Sequence, residues 1–509
     1  MMIKVILLVI FFAVMVAVGI YSRKHAMSVD GFVLGGRSVG PWLTAFAYGT
    51  SYFSAVVFVG YAGQFGWKYG LASTWIGIGN AVIGSLMAWV VLGRRTKVMT
   101  QYLNSKTMPD FFGSRYGSKP LKIAASAIVF VFLVPYTASI YNGLSRLFEM
   151  AFHIPYAWCV IGMAVFTGIY VILGGYMATA INDFIQGIIM LAGIIVVIAA
   201  VLNGQGGFLE AVGRMAEIPS DVEITLGQPG AFTSIFGPDP GNLLGVVILT
   251  SLGTWGLPQM IGKFYAIKDE KSINTGTVIS TVFAIVVSGG CYFLGGFARL
   301  FDAPAIYDEA GAVVYDSIIP HMLSALPDIL IGIVVVLVLS ASMSTLASLV
   351  LTSSSTLTLD FLKDNLLKEM SEKRQVRTMQ VLVIFFIAVS VFIALDPPTF
   401  IAQLMGISWG ALAGAFLAPF LYGLYWKGTT RAGVWASFIV GVGITVVNMF
   451  MPFIESSINA GAAAMVAGLI VVPVVSLITP KLSREKTDAI FSCYEEKVTI
   501  TKKRSLEQN

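Results

Sequence analysis

Charge is what this sequence has least of. Lys, Arg, Asp and Glu together make up 12% of its 509 residues, about half the ~25% usual in soluble domains. A water-soluble globule of this length is thereby excluded, and lipid is the expected solvent. Cysteine is nearly missing as well. Cys159, Cys291 and Cys493 lie far apart with no CxxC pair, which indicates neither a disulfide framework nor a zinc site. His25, His153 and His321 are equally scattered and form no ligand cluster. No HExxH motif, paired carboxylate or Cys/His constellation falls within the apolar runs, so an enzyme is not expected. The net charge of +5 calls for no nucleic-acid partner, because the placement of basic residues in loops accounts for it.

What is present is apolar sequence in long runs. Hydrophobic residues reach 57% and the mean hydropathy is +0.83. Stretches such as IKVILLVIFFAVMVAVGIYS (3–22) and DFIQGIIMLAGIIVVIAAVL (183–202) have the roughly 20-residue length that a bilayer crossing demands. The first has too long an apolar core for a cleavable signal peptide, and its basic pair Arg23 and Lys24 follows the run, so it reads as a retained span. The apolar runs number about thirteen, near 3–22, 40–64, 70–92, 122–150, 155–175, 180–202, 242–262, 275–299, 326–356, 377–395, 400–425, 431–452 and 461–479.

Most of the 32 Lys and Arg fall in alternate connections, Lys263, Lys268 and Lys271 after the seventh run among them; Lys4, Lys68, Arg146, Arg214 and Arg299 are the exceptions. The positive-inside rule makes the basic side cytoplasmic, which puts the N-terminus outside and the C-terminus inside. Of the outer connections, 203–241 with GQGG, GQPG and GPDPG reads as irregular chain with Gly/Pro turns, and 300–325 is expected to hold a short surface helix. The polar tail from residue 483 is expected to be mobile. No targeting extension is expected, which fits a multi-pass protein of a bacterial inner membrane.

Two runs are interrupted where water cannot repair a broken helix. TAFAYGTSYFSAVVFVG (44–60) carries Gly49, Thr50, Ser51 and Ser54, and GVVILTSLGTWGLPQMIGKF (245–264) carries Gly253, Thr254, Gly256 and Pro258. Broken helices survive in hydrocarbon only inside protein or beside a cavity. Interruptions in the second and seventh runs, five apart, are what two five-helix halves of inverted topology produce, with a binding site at the midplane. The bland alternative is that Gly and Pro are common in membrane helices generally. In the ninth run Ser340, Ser344 and Ser348 recur every fourth residue beside Ala341, Thr345 and Ala347, a small, hydroxyl-rich helix face. Such a face serves close helix packing or supplies neutral oxygens to a monovalent cation. Because hydroxyls and carbonyls do not titrate near neutral pH, Na⁺ suits them better than H⁺. The one carboxylate candidate is Asp183, whose alternative is a helix cap. Arg146 and Glu149 read as a local pair.

The chain resembles the sodium/solute symporter family. The marks are LGGRSVGPW (34–42), SRLFE (145–149), ILGGYMATAINDFIQ (172–186) and SASMSTLAS (340–348), in order and on the expected runs. GLPQMIGKFYAIKDEKS (256–272) and SYFSAVVFVG (51–60) are similar to the pantothenate branch, and PYTASIYNGLSRLFE (135–149) to the proline branch. The resemblance implies an all-α integral membrane protein with the leucine-transporter-like 5+5 inverted repeat. It divides into an extra N-terminal helix and first cytoplasmic loop (1–30), a first half (31–203), an extracellular loop (204–240), a second half (241–427), two C-terminal helices (428–482) and a cytoplasmic tail (483–509).

Carried over by position, the family's sodium site falls on Thr50, Phe53, Ala341, Ser344 and Thr345. Its intracellular ion path falls on Asp183 and Ser348, and its substrate contacts on Ser54, Ala55, Tyr136, Thr254, Trp255 and Pro258. Two departures count. Tyr52 stands where the proline branch has an aspartate. The hydroxyl pair that holds a second sodium in some relatives reads Ala347 and Ser348 here, so one Na⁺ is expected. The implied function is sodium-coupled import of a small, carboxylate-bearing solute, namely proline or another amino acid, pantothenate or a monocarboxylate. The alternatives are a sodium/sugar symporter of the same fold, a cation channel or a membrane sensor. The expected partners are the solute, sodium and the lipid bilayer, with the chain a monomer or weak oligomer.

Overall fold

The computed structural model describes residues 2–364, 366–367, 369–396 and 400–495, and of Tyr52 the backbone alone. Among these residues there are helices and two isolated β-bridges but no strand. The principal helices are α1 (Met2–Ser22), α2 (Pro41–Tyr52), α3 (Val56–Tyr102), α4 (Lys119–Phe152), α5 (Tyr156–Gly204), α6 (Pro240–Leu252), α7 (Pro258–Ala266), α8 (Glu270–Gly295), α9 (Asp328–Lys363), α10 (Glu372–Leu395), α11 (Ile401–Tyr425), α12 (Arg431–Phe450) and α13 (Ser457–Ile478). Counting α6 with α7 and leaving out α2, eleven of these are long and apolar enough to cross a membrane by length and composition.

Two of the eleven are too long for one crossing. α3 has 47 residues and α5 has 49, about 70 Å each against a hydrocarbon core of ~30 Å. Both turn at a glycine, α3 at Gly70 (φ 59°, ψ −140°) and α5 at Gly175 (φ 54°, ψ −148°). Gly175 also brings the chain close to Phe32, 2.9 Å from where a Cβ would stand. That leaves Tyr176 against Gly35, so the LGG and GGYM motifs dock on each other. The centre belongs to α11 and α9, with 89% and 78% of their apolar windows buried, whereas α1 at 22% faces outward.

Both expected interruptions exist, but the first lies further along the chain than its glycine. α2 stays helical through Gly49, Thr50 and Ser51, and the backbone turns extended at Phe53 (φ −96°, ψ 116°). The Thr50 hydroxyl bonds Phe46 O at 2.8 Å and Ser51 bonds Ala47 O, so these residues prolong the helix. Gly49 serves packing instead, since a Cβ there would stand 2.5 Å from Phe283 on α8. The second break lies at Gly256 and Leu257, the latter extended (φ −86°, ψ 121°). Pro258 is not inside a helix but in the first turn of α7, where its missing N–H costs nothing. The two broken segments are clasped at one end by a parallel bridge of Val39 and Ile267: Val39 N–H donates to Ala266 O (3.2 Å) and Lys268 N–H to Val39 O (3.0 Å).

Three further expectations meet the structure. The 203–241 connection is not wholly irregular, because Phe208–Glu217 is an amphipathic helix that buries Ala211 and Met215. The 300–325 connection holds the helix Tyr315–Ser324. The tail is not free throughout. Arg484–Phe491 is helical, the Arg115 guanidinium lies 5.0 Å from the Phe491 ring, and Lys427 pairs with Asp488 at 2.6 Å. Residues 496–509 lie outside the described residues.

Candidate functional site

The break after Tyr52 turns backbone oxygens toward α9. The Thr345 hydroxyl lies 3.1 Å from Thr50 O, 3.2 Å from Phe53 O and 3.1 Å from Ala341 O. A hydroxyl carries one proton, so three acceptors converge on one donor. That leaves a concentration of oxygen partial charge at a place where Thr345, Thr50 and Ala341 are all fully buried. The break itself is held by Ser342, whose hydroxyl accepts the Ala55 N–H at 3.1 Å, and by Ser54, whose hydroxyl accepts the Val56 N–H at 3.2 Å. Ser344, also fully buried, has no hydrogen-bond partner of good geometry among the described residues, although it abuts the Asp183 carboxylate. The carbonyls of Thr50 at the end of α2 and Phe53 at the break, with the Ala341 carbonyl and the Thr345 hydroxyl of α9 and the Ser344 hydroxyl beside them, form a donor set suited to a hard monovalent cation. The residues expected for sodium, Thr50, Phe53, Ala341, Ser344 and Thr345, thus lie on the facing sides of α2 and α9.

Asp183 lies mid-helix in α5 and 1% exposed, so it caps nothing. Its ion partner is Lys263 on α7, 3.7 Å away, a residue that sequence reasoning put in a loop. Lys263 is 3% exposed. Its ammonium donates to the Ser348 hydroxyl at 3.0 Å, and Ser348 lies 2.9 Å from Ser51 Oγ. Because the Ser51 proton is committed to Ala47 O, Ser348 must donate to Ser51. Lys263, Ser348, Ser51 and Ala47 therefore form a directed chain of hydrogen bonds. The Tyr176 ring faces the same ammonium, 5.2 Å from its centroid. A cleft opens here toward the end of α7, lined by Tyr176, Pro258, Gln259, Lys263, Ser348 and Thr107. Both polar atoms of the Gln259 side chain are buried there without hydrogen-bond partners among the described residues.

The expected substrate residues are dispersed among several contacts. Ser54 and Ala55 form the break, and Ala55 touches Gly143 of α4. Tyr136 packs edge-on against Trp409 of α11, centroids 5.9 Å apart, and the same indole covers Gly253. Trp409, fully buried between two expected contact regions, was not singled out from sequence; its only signal is a lone indole among small residues in GISWGALAG. The polar atoms of Thr254 and Trp255 turn to α3: Thr254 donates toward Gly84 O (3.1 Å) and Ser251 O (2.9 Å), and the Trp255 indole to Ile83 O (2.9 Å). Pro258 alone of the six lines the cleft beside Lys263.

Beyond the opposite end of the discontinuous segment is a cavity of about 600 Å³. It carries charges of both signs, including Lys68, Asp221, Asp239, Arg299 and Glu455. Arg299 forks onto Asp221 at 2.6 and 2.8 Å. Near it, Asp316 on Tyr315–Ser324 accepts the Ile401 N–H at 3.3 Å. Burial pushes its carboxyl up to about 6, against the pull of that hydrogen bond and of Arg146. Arg146 and Glu149 do pair, at 4.0 Å.

The profile of the sodium:solute symporter family matches residues 32–441. The chain is 30% identical over 500 residues to the sodium/proline symporter of Staphylococcus aureus, covering 94% of this chain and 93% of that one. Among solved structures it is similar to a Na⁺-coupled sialic acid symporter in a substrate-bound outward-open state, with a TM-score of 0.76, 14% identity, and coverage of 95% and 99%. It is also similar to a nucleobase-cation-symport-1 family transporter in a closed conformation, with a TM-score of 0.50, 16% identity, and coverage of 91% and 98%. At these identities the two likenesses establish a shared transporter fold.

Proposed function

The chain belongs to the sodium:solute symporter family, a multi-pass membrane transporter with sodium as its coupling ion, and on that premise we propose that it imports a small carboxylate-bearing solute by alternating access. The solute class is an amino acid such as proline, pantothenate or a monocarboxylate. The observation that carries the ion site is the convergence of the Thr50, Phe53 and Ala341 carbonyls on the Thr345 hydroxyl. Sodium is held there with Ser344 as a further ligand, and Asp183 and Ser348 lie along its exit. Substrate contacts come from Ser54, Ala55, Tyr136, Thr254, Trp255 and Pro258. The relative of proline-transporting name supports an amino acid over a sugar. So does the scarcity of hydroxyl-reading side chains at the breaks, where Gln259 stands alone.

The architecture proposed is the leucine-transporter-like inverted repeat of 31–203 and 241–427, flanked by the extra helix of 1–30 and the two helices of 428–482. Dividing α3 and α5 at their glycine turns and joining α2 to the start of α3 gives about thirteen crossings. The basic loops put the N-terminus outside and the C-terminus inside. Sodium entering from outside orders the break between α2 and α3 and so completes the substrate site. By linkage, solute and ion raise each other's affinity by the same factor. The membrane potential adds ~2.3 kcal/mol per charge per 100 mV. The chain acts as a monomer or weak oligomer.

A thermal-shift screen of the purified protein tests this reading, with proline, pantothenate, lactate and glucose each added with and without Na⁺. Stabilisation by a carboxylate in Na⁺ alone is expected. Stabilisation by glucose alone overturns the solute class, and equal stabilisation in K⁺ overturns the ion site.

A further inference from the structure

Where α5 meets α10, the periphery of the bundle carries a groove of about 530 Å³ along residues 161–173 of α5 and 384–391 of α10. Its wall holds only Ile, Leu, Val, Ala and Gly. A Cβ on Gly168 would stand 3.5 Å from Ile387, so the helices touch at the floor and the absent side chain leaves the depth. At the foot, Gln380 donates to Ile172 O at 3.0 Å and fastens α10 to α5 just before the turn at Gly175. Such a groove accepts hydrocarbon of any kind, and selectivity has to come from its ends. α10 begins at SEKRQVR (371–377). At about 100° per residue, Lys373 and Arg377 fall within about 20° of Ile384 around the helix, about 16 and 10 Å below it. Both are exposed, and neither forms an ion pair among the described residues. A second peripheral groove, of about 350 Å³ between residues 75–83 of α3 and 236–247 at α6, is equally apolar but differs at its ends. Neither 70–93 nor 231–262 contains Lys or Arg, and Asp239 is the one charged residue in them.

We propose that the α5–α10 groove and the two cations in line below it form a binding site for an anionic phospholipid of the cytoplasmic leaflet. One acyl chain lies in the groove, and the headgroup phosphate meets Arg377 and Lys373. The guanidinium forks onto phosphate oxygens and the ammonium adds a point charge. The dimensions agree. Half of a ~30 Å hydrocarbon core is about 15 Å, and residues 384–391 stand about 10–21 Å above Arg377, so the chain of a lipid held at Arg377 ends within the groove. Charge complementarity selects the lipid, since basic residues beside the cytoplasmic surface attract anionic headgroups. The site uses the orientation proposed above and is independent of the ion site. A lipid seated there splints α10 to α5 on the approach to Gly175, where a single side-chain hydrogen bond, from Gln380, is otherwise placed.

Photolabelling of the full-length protein in phosphatidylcholine nanodiscs tests the site. A minor component of phosphatidylglycerol with a diazirine in one acyl chain should label peptides holding 161–173 and 384–391 at least about fivefold more than those holding 75–83 and 236–247, the gain expected from one basic residue at the surface. A phosphatidylcholine probe with the same chain should show no such preference. Lys373→Gln and Arg377→Gln should each lower labelling of the α5–α10 groove about fivefold, and together about 25-fold. Ala388→Phe, which fills the groove from its exposed rim, should lower it as well. Equal labelling of the two grooves by the phosphatidylglycerol probe overturns the proposal. So does the same preference with the phosphatidylcholine probe, or a preference that survives loss of both cations. Should the double variant not fold, Ala388→Phe carries the test, and unchanged labelling there overturns it.

Discussion

At the break between α2 and α3, carbonyl oxygens turn inward onto one hydroxyl, and among the described residues no charged side chain takes part. At the break between α6 and α7, the polar atoms turn away. Thr254 and Trp255 are spent on carbonyls of α3, and the chain restarts at Pro258 with a half-helix that delivers Gln259 and Lys263. One break collects negative partial charge; the half-helix after the other delivers a side chain of positive charge. The two interruptions thus have opposite electrostatic content. Two acceptor-lined breaks would compete for the same cation.

The comparison breaks most clearly at the acceptor side. Replacing both Ser344 and Thr345 by Ala should raise the sodium concentration for half-maximal uptake about 100-fold, ~2.7 kcal/mol at tenfold per ligand. Unchanged sodium dependence would show that the carbonyl cluster holds no ion. A smaller effect concerns Asp316, on the short helix packed against Gly63 of the first discontinuous segment. Its carboxyl titrates near 6 when folded and nearer 4 when unfolded, so the folded state keeps the proton across that interval. Stability is therefore fully present below about pH 4 and lost as pH rises through 6, by about 2 kcal/mol after discounting partial relaxation. Asp316→Asn should flatten that slope in a thermal melt, and an unaltered slope would assign it to another group.

Smaller again is Ser342→Ala, which leaves the Ala55 N–H without its acceptor. A loss of ~1–2 kcal/mol is expected, read as a lower Tm with a raised sodium requirement. The least effect should come from the opposite break: Thr254→Val should leave sodium half-saturation within about twofold, as its hydroxyl bonds only backbone oxygens of α3 and the turn. A tenfold change there would erase the asymmetry.

Much of this was legible in the residues. Long apolar runs and alternating basic loops announce membrane helices, and paired interruptions five runs apart announce where they break. The position of the first break was not legible, because Gly49 and Ser51 look like breakers. Side-chain bonds to the preceding turn keep Thr50 and Ser51 helical, while the residue that turns extended, Phe53, is apolar and gives no signal. Lys263 was hidden for a different reason. A lysine at the end of an apolar run counts as loop by hydropathy, and only packing of α7 against α5 and α9 reveals that it is enclosed. Trp409 was missed because its partners, Tyr136 and Gly253, are remote in the chain, and the helix of 208–217 because its short amphipathic pattern is flanked by Gly/Pro turns.

The bridge of Val39 with Ile267 has a mechanical consequence. It splices the start of one half-helix pair to the finish of the other with two backbone hydrogen bonds, so neither can tilt there without dragging its counterpart. The discontinuous segments are thereby tied to each other at this extremity, while at the far one the first of them is held from outside the pair, the Arg299 guanidinium donating to Trp67 O at 2.8 Å.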